Sequence, residues 1–127
     1  MDAAGVSAAL AAGATAVQCG TALLRCPESG AHPVYKAALA DPRYGGTAVT
    51  RAFSGRPARG LVNGFLRDHQ DAPPAYPEIN SATRPIRAAA AAAGDADRMS
   101  LWAGQGYRAA TTRPAGEVID MLGSPVA

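Results

Sequence analysis

The 127-residue sequence predicts an α/β protein, and three adjoining segments near its start carry that prediction. A stretch of small residues with helical character opens the chain. The apolar run Ala14-Thr15-Ala16-Val17-Gln18-Cys19 follows it, and Gly20-Thr21 stands where a second helix would begin. Helix, strand and new helix start, in that order, make half of a repeating βα unit. A short apolar run between glycines suits a strand buried on both faces, as in a parallel sheet. Such a strand cannot stand alone, because its N–H and C=O groups need neighbours along both edges. The sequence therefore points to pairing partners outside itself.

Each element has its own warrant. Asp2 can cap the first helix, Val6 and Leu10 give it an apolar face, and Gly13 sits where a left-handed stop belongs. Residues 22–25 read as a short helix halted by Pro27. Residues 32–39 read as another, with Pro33 in its first turn and Asp41-Pro42 and Gly45-Gly46 beyond its end. Residues 47–53 alternate and are partly β-branched, as in a short strand. Ser54-Gly55-Arg56-Pro57 turns the chain, and 61–69 has helical character. The segment 71–77, with Pro73, Pro74 and Pro77, reads as an extended, stiffened connection. A helix over 86–93 starts behind Pro85 and stops at Gly94. Residues 101–106 form a glycine-punctuated loop with the single tryptophan, and 115–122 reads as a last amphipathic helix. No internal repeat appears.

Composition bounds the function. Hydrophobic residues reach 48% but aromatics only 6%, and much of the apolar fraction is alanine. Alanine favours helix yet buries little surface, so the core is thin for the length. Twelve basic and ten acidic residues leave a charge of +2, which argues for no particular anionic partner. Arg51, Arg56 and Arg59 lie close together but lack the dense stripe and stacking aromatics of a nucleic-acid surface. Cys19, Cys26, His32 and His69 have no metal-ligand spacing, so no metal is expected and free thiols in a reducing cytoplasm are the simpler account. No apolar run reaches the ~18 residues of a membrane span, and no secretory signal opens the chain. A cytoplasmic chain that binds neither nucleic acid nor membrane is the expectation.

The strongest site candidate is Gln18-Cys19-Gly20-Thr21. A glycine at a strand's end lets the backbone approach an anion, and a helix start offers N–H groups and a positive dipole end. Thr21 adds a hydroxyl. The same pattern also serves a plain strand-to-helix turn.

The segment 13–21 resembles the phosphate-gripping strand of the nitronate monooxygenase family, once called 2-nitropropane dioxygenases. The likeness continues through Thr50-Arg51-Ala52-Phe53-Ser54-Gly55-Arg56-Pro57-Ala58-Arg59-Gly60. It returns in Tyr76-Pro77, in Arg84-Pro85-Ile86-Arg87 with the alanines after it, and in Ser100-Leu101-Trp102-Ala103-Gly104-Gln105-Gly106. These blocks, in the family's order, span nearly the whole chain. The resemblance implies the C-terminal portion of a TIM-type (βα)8 barrel that holds FMN, plus a mostly helical appended region. On this footing residues 1–30 are the last βα units of an incomplete barrel. Residues 31–127 are the final crossover and the appended region.

The resemblance also implies site roles. Gln18, Cys19, Gly20 and Thr21 would hold FMN's phosphate, and Gln105 would either order its loop or reach the cofactor. Trp102 would lie near the flavin or anchor the appended region by packing. Tyr76 matches a tyrosine that some members use at the substrate pocket. In those members a second tyrosine and a lysine follow at intervals of four, where this chain has Asn80 and Arg84. Arg84 keeps the charge but not the geometry of an ammonium. Pinning the loop before a helix is an equally good account of Tyr76 and Arg84. The implied reaction is oxidation of an alkyl nitronate by flavin and O2. FMN-dependent enoyl and quinone reductases share the phosphate block and form one alternative. A small autonomous helical interaction or dimerisation module is another. The family's Gly-Gly-Ile-type strand and the histidine of the middle barrel have no counterpart here, and His32 and His69 do not inherit that histidine's role. The expectation is an enzyme fragment, inactive alone and with no catalytic residue of its own, from a truncated gene or a late start codon; a separate polypeptide that supplies the missing N-terminal half is a further alternative.

Overall fold

The computed structural model describes residues 2–124. Its elements run α1 (Ala3–Ala11), α2 (Gly20–Leu23), α3 (Pro33–Ala38), β1 (Thr47–Thr50), β2 (Ala58–Leu61), α4 (Gly64–Asp68), α5 (Glu78–Ala93) and α6 (Ala115–Gly123). Two 3₁₀ turns, Ala96–Arg98 and Tyr107–Ala109, complete them. The chain divides into two compact units, Met1–Ala31 with Gly106–Ala127, and His32–Gln105.

In the first unit, Asp2 caps α1 by accepting a hydrogen bond from the Gly5 amide at 2.9 Å, and Gly13 ends that segment at φ +98°. Both features follow the sequence rules for a helix start and stop. α6 packs against α1 and α2, burying Val118. Pro114 supplies no side-chain cap to α6. Glu28 does so instead, its two carboxylate oxygens accepting from the Ala115 amide at 3.0 and 3.1 Å. A negative group at a helix N-terminus also meets the positive end of its dipole. The Arg25 guanidinium ties the same unit together by donating to the Ala110 carbonyl at 3.0 Å.

The expected strand over 14–19 is not formed. That segment runs between α1 and α2 without a ladder partner among the described residues. A strand exists by pairing, and no other described segment offers it an edge. The helix expected over 22–25 forms two residues earlier, as α2.

The second unit is built on an antiparallel pair. β1 meets β2 in the register Thr47 to Leu61, Ala48 to Gly60, Val49 to Arg59 and Thr50 to Ala58. The expected strand over 47–53 therefore stops at Thr50, where the Thr50 hydroxyl accepts from the Ala52 amide and turns the chain. β2 had no strand signal, because Ala58-Arg59-Gly60 carries little β preference. Its place is set by pairing on both sides. The Leu61 amide donates to the Leu101 carbonyl at 2.9 Å, and the Ala103 amide to the Arg59 carbonyl at 3.1 Å. Gly60 makes this approach possible: a Cβ there would lie 2.9 Å from Leu101 O and 3.2 Å from Trp102 Cε3. Leu39, Phe53, Leu61 and Leu101 fill the core of this unit, with Phe53 stacked on Phe65 at 4.8 Å and meeting the Trp102 ring edge-on at 5.5 Å.

α5 begins eight residues before the expected position, so Pro85 lies inside it rather than at its start. Thr83 explains why the helix tolerates the proline. It is buried on α5 and its hydroxyl donates to the Phe53 carbonyl, so tertiary contacts hold the turn that a proline weakens. The Tyr76-Pro77 peptide just before α5 is cis.

Candidate functional site

The four residues expected to grip a phosphate lie together at the start of α2. Gln18 and Gly20 are exposed, and Cys19 and Thr21 are half-buried. A Cβ placed on Gly20 would meet nothing within 4 Å, so the backbone there faces open space. Neither cysteine forms a disulfide among the described residues, and Cys26 is almost wholly buried at 1% exposure. Beside this segment a cavity of about 500 Å³ is lined by Val6, Leu10, Val17, Leu23, Ile119 and Leu122, with Cys19 also at its wall. The cavity is apolar, and of the four expected residues Cys19 alone borders it.

The other expected site residues belong to the second unit. Tyr76 is half exposed, at 52%, and the Arg56 guanidinium lies over its ring, 5.0 Å from the centroid. Arg84 projects from α5 and is exposed. Burial first, and then the charge of Arg84, holds the neighbouring Arg87 guanidinium below its ordinary pKa. Arg87 donates twice to Asn80, to its carbonyl and to its Oδ1, each at 2.9 Å, while Arg87 Nε has no partner among the described residues. Trp102 packs its ring on Phe53 and Gly60, and its carbonyl accepts from the Tyr35 hydroxyl. Gln105 is exposed in a turn. No hydrogen bond or ring contact joins Tyr76, Arg84, Trp102 and Gln105 to one another among the described residues.

Two groupings had no clear signal in the sequence. One is the Arg56–Tyr76 pair, whose members are twenty positions apart, Arg56 lying in a stretch that reads as a solvated turn. The other is a hollow of about 310 Å³ bordered by Asp41, Arg43, Tyr44, Asp95 and Asp97. There the Arg43 side chain, hydrogen-bonded to Asp41 at 2.7 and 2.8 Å, holds the Asp41 carboxyl below its usual pKa. Burial pushes the Tyr44 phenol up. No group of three potential metal ligands occurs among the described residues, and no helix is long and apolar enough to cross a membrane.

Comparison with known proteins identifies the class. Residues 1–124 match the family model described as nitronate monooxygenase. The chain belongs to that family of oxidoreductases. It is 46% identical to a nitronate monooxygenase of Pseudomonas aeruginosa over 96% of its own length and 36% of that protein's. It is 43% identical to a probable nitronate monooxygenase of Bacillus subtilis, covering 87% of this chain and 33% of the relative. The chain thus spans about a third of the curated relatives it matches. Among solved structures, a nitroalkane oxidase from Streptomyces ansochromogenes superimposes with a TM-score of 0.93 at 54% identity, over 96% of this chain and 35% of that one. FabK from Thermotoga maritima superimposes with a TM-score of 0.74 at 33% identity, over 95% and 40%.

Proposed function

We propose that this chain supplies the C-terminal part of an FMN-dependent enzyme that oxidises alkyl nitronates with O2. The observation that carries the reading is the family match over residues 1–124, joined to the close superposition on a nitroalkane oxidase. In this reading residues 1–30 end a TIM-type barrel, and 31–127 form its final crossover and appended region. The unpaired segment 14–19 and the apolar cavity beside it support a place for further strands and helices there.

FMN would bring the redox chemistry, taking electrons from the nitronate and passing them to O2. The residues of this chain fit its phosphate. Gly20 leaves its backbone open to a close anion, Thr21 carries a hydroxyl, and Gln18 stands exposed beside them. Cys19 completes that turn. Gln105 and Trp102 are proposed near the flavin, and Tyr76 and Arg84 at the nitronate, where a phenol and a guanidinium suit a small anion.

A chimera tests the proposal. This chain replaces the matching third of the Pseudomonas aeruginosa relative, and the product is assayed for bound flavin and for nitrite released from propane-2-nitronate. The expected result is a yellow protein that releases nitrite, with flavin content lowered by Gly20→Val. A folded chimera without flavin would overturn the reading. The chain by itself is expected to bind FMN weakly and to turn over no nitronate, because the phosphate grip leaves the ring system unheld. A stoichiometric flavin spectrum from the chain alone would count against that.

A further inference from the structure

We propose that Arg56 is a positioning residue for an anionic substrate at Tyr76. It would orient the phenol and add positive charge beside it. This rests on the reading that Tyr76 faces the substrate.

The contact is built in rather than incidental. Gly55, at φ +80°, lies so close to the next segment that a Cβ there would sit 2.4 Å from the Ala75 carbonyl oxygen and 2.8 Å from the Tyr76 amide nitrogen. The turn that carries Arg56 is therefore wedged against the backbone that carries Tyr76. Ser54 fixes the Arg56 backbone from the other side: its hydroxyl accepts from the Arg56 amide at 3.2 Å and donates to the Arg56 carbonyl at 3.3 Å. Pro57 further narrows the conformations open to Arg56. The guanidinium comes to rest over the Tyr76 ring, at 5.0 Å from its centroid.

The charge at this spot is available. No carboxylate pairs with Arg56 among the described residues, whereas Arg43, Arg98 and Arg113 each have one. Its partner is an aromatic face, which attracts a cation without neutralising it. Tyr76 remains half exposed, so a ligand can reach the pair. A planar anion with two oxygens on one atom matches the guanidinium's planar fork, while the phenol offers one further hydrogen bond. A nitronate is such an anion; its parent nitroalkane has no net charge. The pair would thus favour the ionised form of the substrate over the neutral one.

The test uses the full 127-residue chain, with propane-2-nitronate as the probe and 2-nitropropane as the neutral control. Nuclear magnetic resonance follows the Tyr76 ring and the Arg56 side chain during each titration. The nitronate is expected to shift both. Arg56→Ala should weaken its binding about five- to tenfold, the loss of one exposed charge and ring contact. Arg56→Lys should restore part of that affinity, and added salt should weaken the wild type more than Arg56→Ala. Weak binding of 2-nitropropane should not change in either variant. If nitronate still shifts Tyr76 and Arg56→Ala binds it as tightly as the wild type, Arg56 has no such role, though Tyr76 keeps its own. If nitronate leaves Tyr76 unshifted in the wild type, the placement of substrate at Tyr76 fails and the proposal fails with it. Should Arg56→Ala not fold, Arg56→Lys and Arg56→Gln decide: equal nitronate affinity in both and in the wild type overturns the proposal.

Discussion

Asn63 is wholly buried, at 0% exposure, and spends its whole side chain on the backbone. Its Oδ1 accepts from the Leu66 amide at 3.1 Å and so caps α4, while its Nδ2 donates to the carbonyls of Ala96 at 2.9 Å and Met99 at 2.7 Å. Truncation to alanine removes a cap and strands two carbonyls. Asn63→Ala should therefore cost about 3 kcal/mol, read as a lower midpoint in denaturant with an unchanged slope. Gly55 makes a separate prediction. Any side chain there adopts a left-handed conformation and overlaps the Ala75 carbonyl, so Gly55→Ala should cost at least about 1–3 kcal/mol by thermal unfolding. The glycine turn was legible in the sequence, since Ser54-Gly55-Arg56-Pro57 is turn chemistry. What the turn leans on was not. Ala75 and Tyr76 lie 20 and 21 residues on, just as Asn63 finds its carbonyls 33 and 36 residues away. Local residue types carry no sign of such distant partners.

Among the elements, α3 carries the clearest dependence on pH. Burial pushes the Tyr35 phenol up to about 12 from its ordinary 10, and its hydroxyl donates to the Trp102 carbonyl. The unfolded chain loses this proton first as pH rises, so the folded form is the one that holds it in that window. Stability from Tyr35 should be complete below about pH 10 and fall away as pH climbs through about 12. Denaturant titrations below and within that window check it, because Tyr35→Phe should lack this part of the decline. Elements with local signals could be read from the sequence: α1 from Asp2 and Gly13, α3 from Pro33, and α6 from its amphipathic pattern. Elements defined by what they touch could not. β2 is a strand because β1 and residues 101–103 flank it, and α5 runs through Pro85 because Thr83 anchors it. Conversely, 14–19 has the composition of a buried strand but no strand beside it among the described residues to make it one.

At the scale of the whole molecule, the first unit carries an exposed apolar surface. Leu10 at 45% and Ile119 at 57% exposure border a cavity of about 500 Å³ whose lining is mostly apolar. Exposed apolar patches of this kind mark interaction surfaces. An apolar fluorescent dye should bind the chain here, and Leu10→Ser combined with Ile119→Ser should remove most of its emission without changing the helical signal. The turn into α2 at Gln18–Thr21 was readable from its glycine, and the surface beside it was not, because it is assembled from α1, α2 and α6 across the length of the chain. The two cysteines of that unit add one more consequence. With Cys19 within reach of solvent and Cys26 sealed away, an alkylating reagent will mark the first thiol at once and the second only when the unit breathes. The interval between the two labels is a clock for that opening, set by the protein's own sulfur atoms and readable by mass alone.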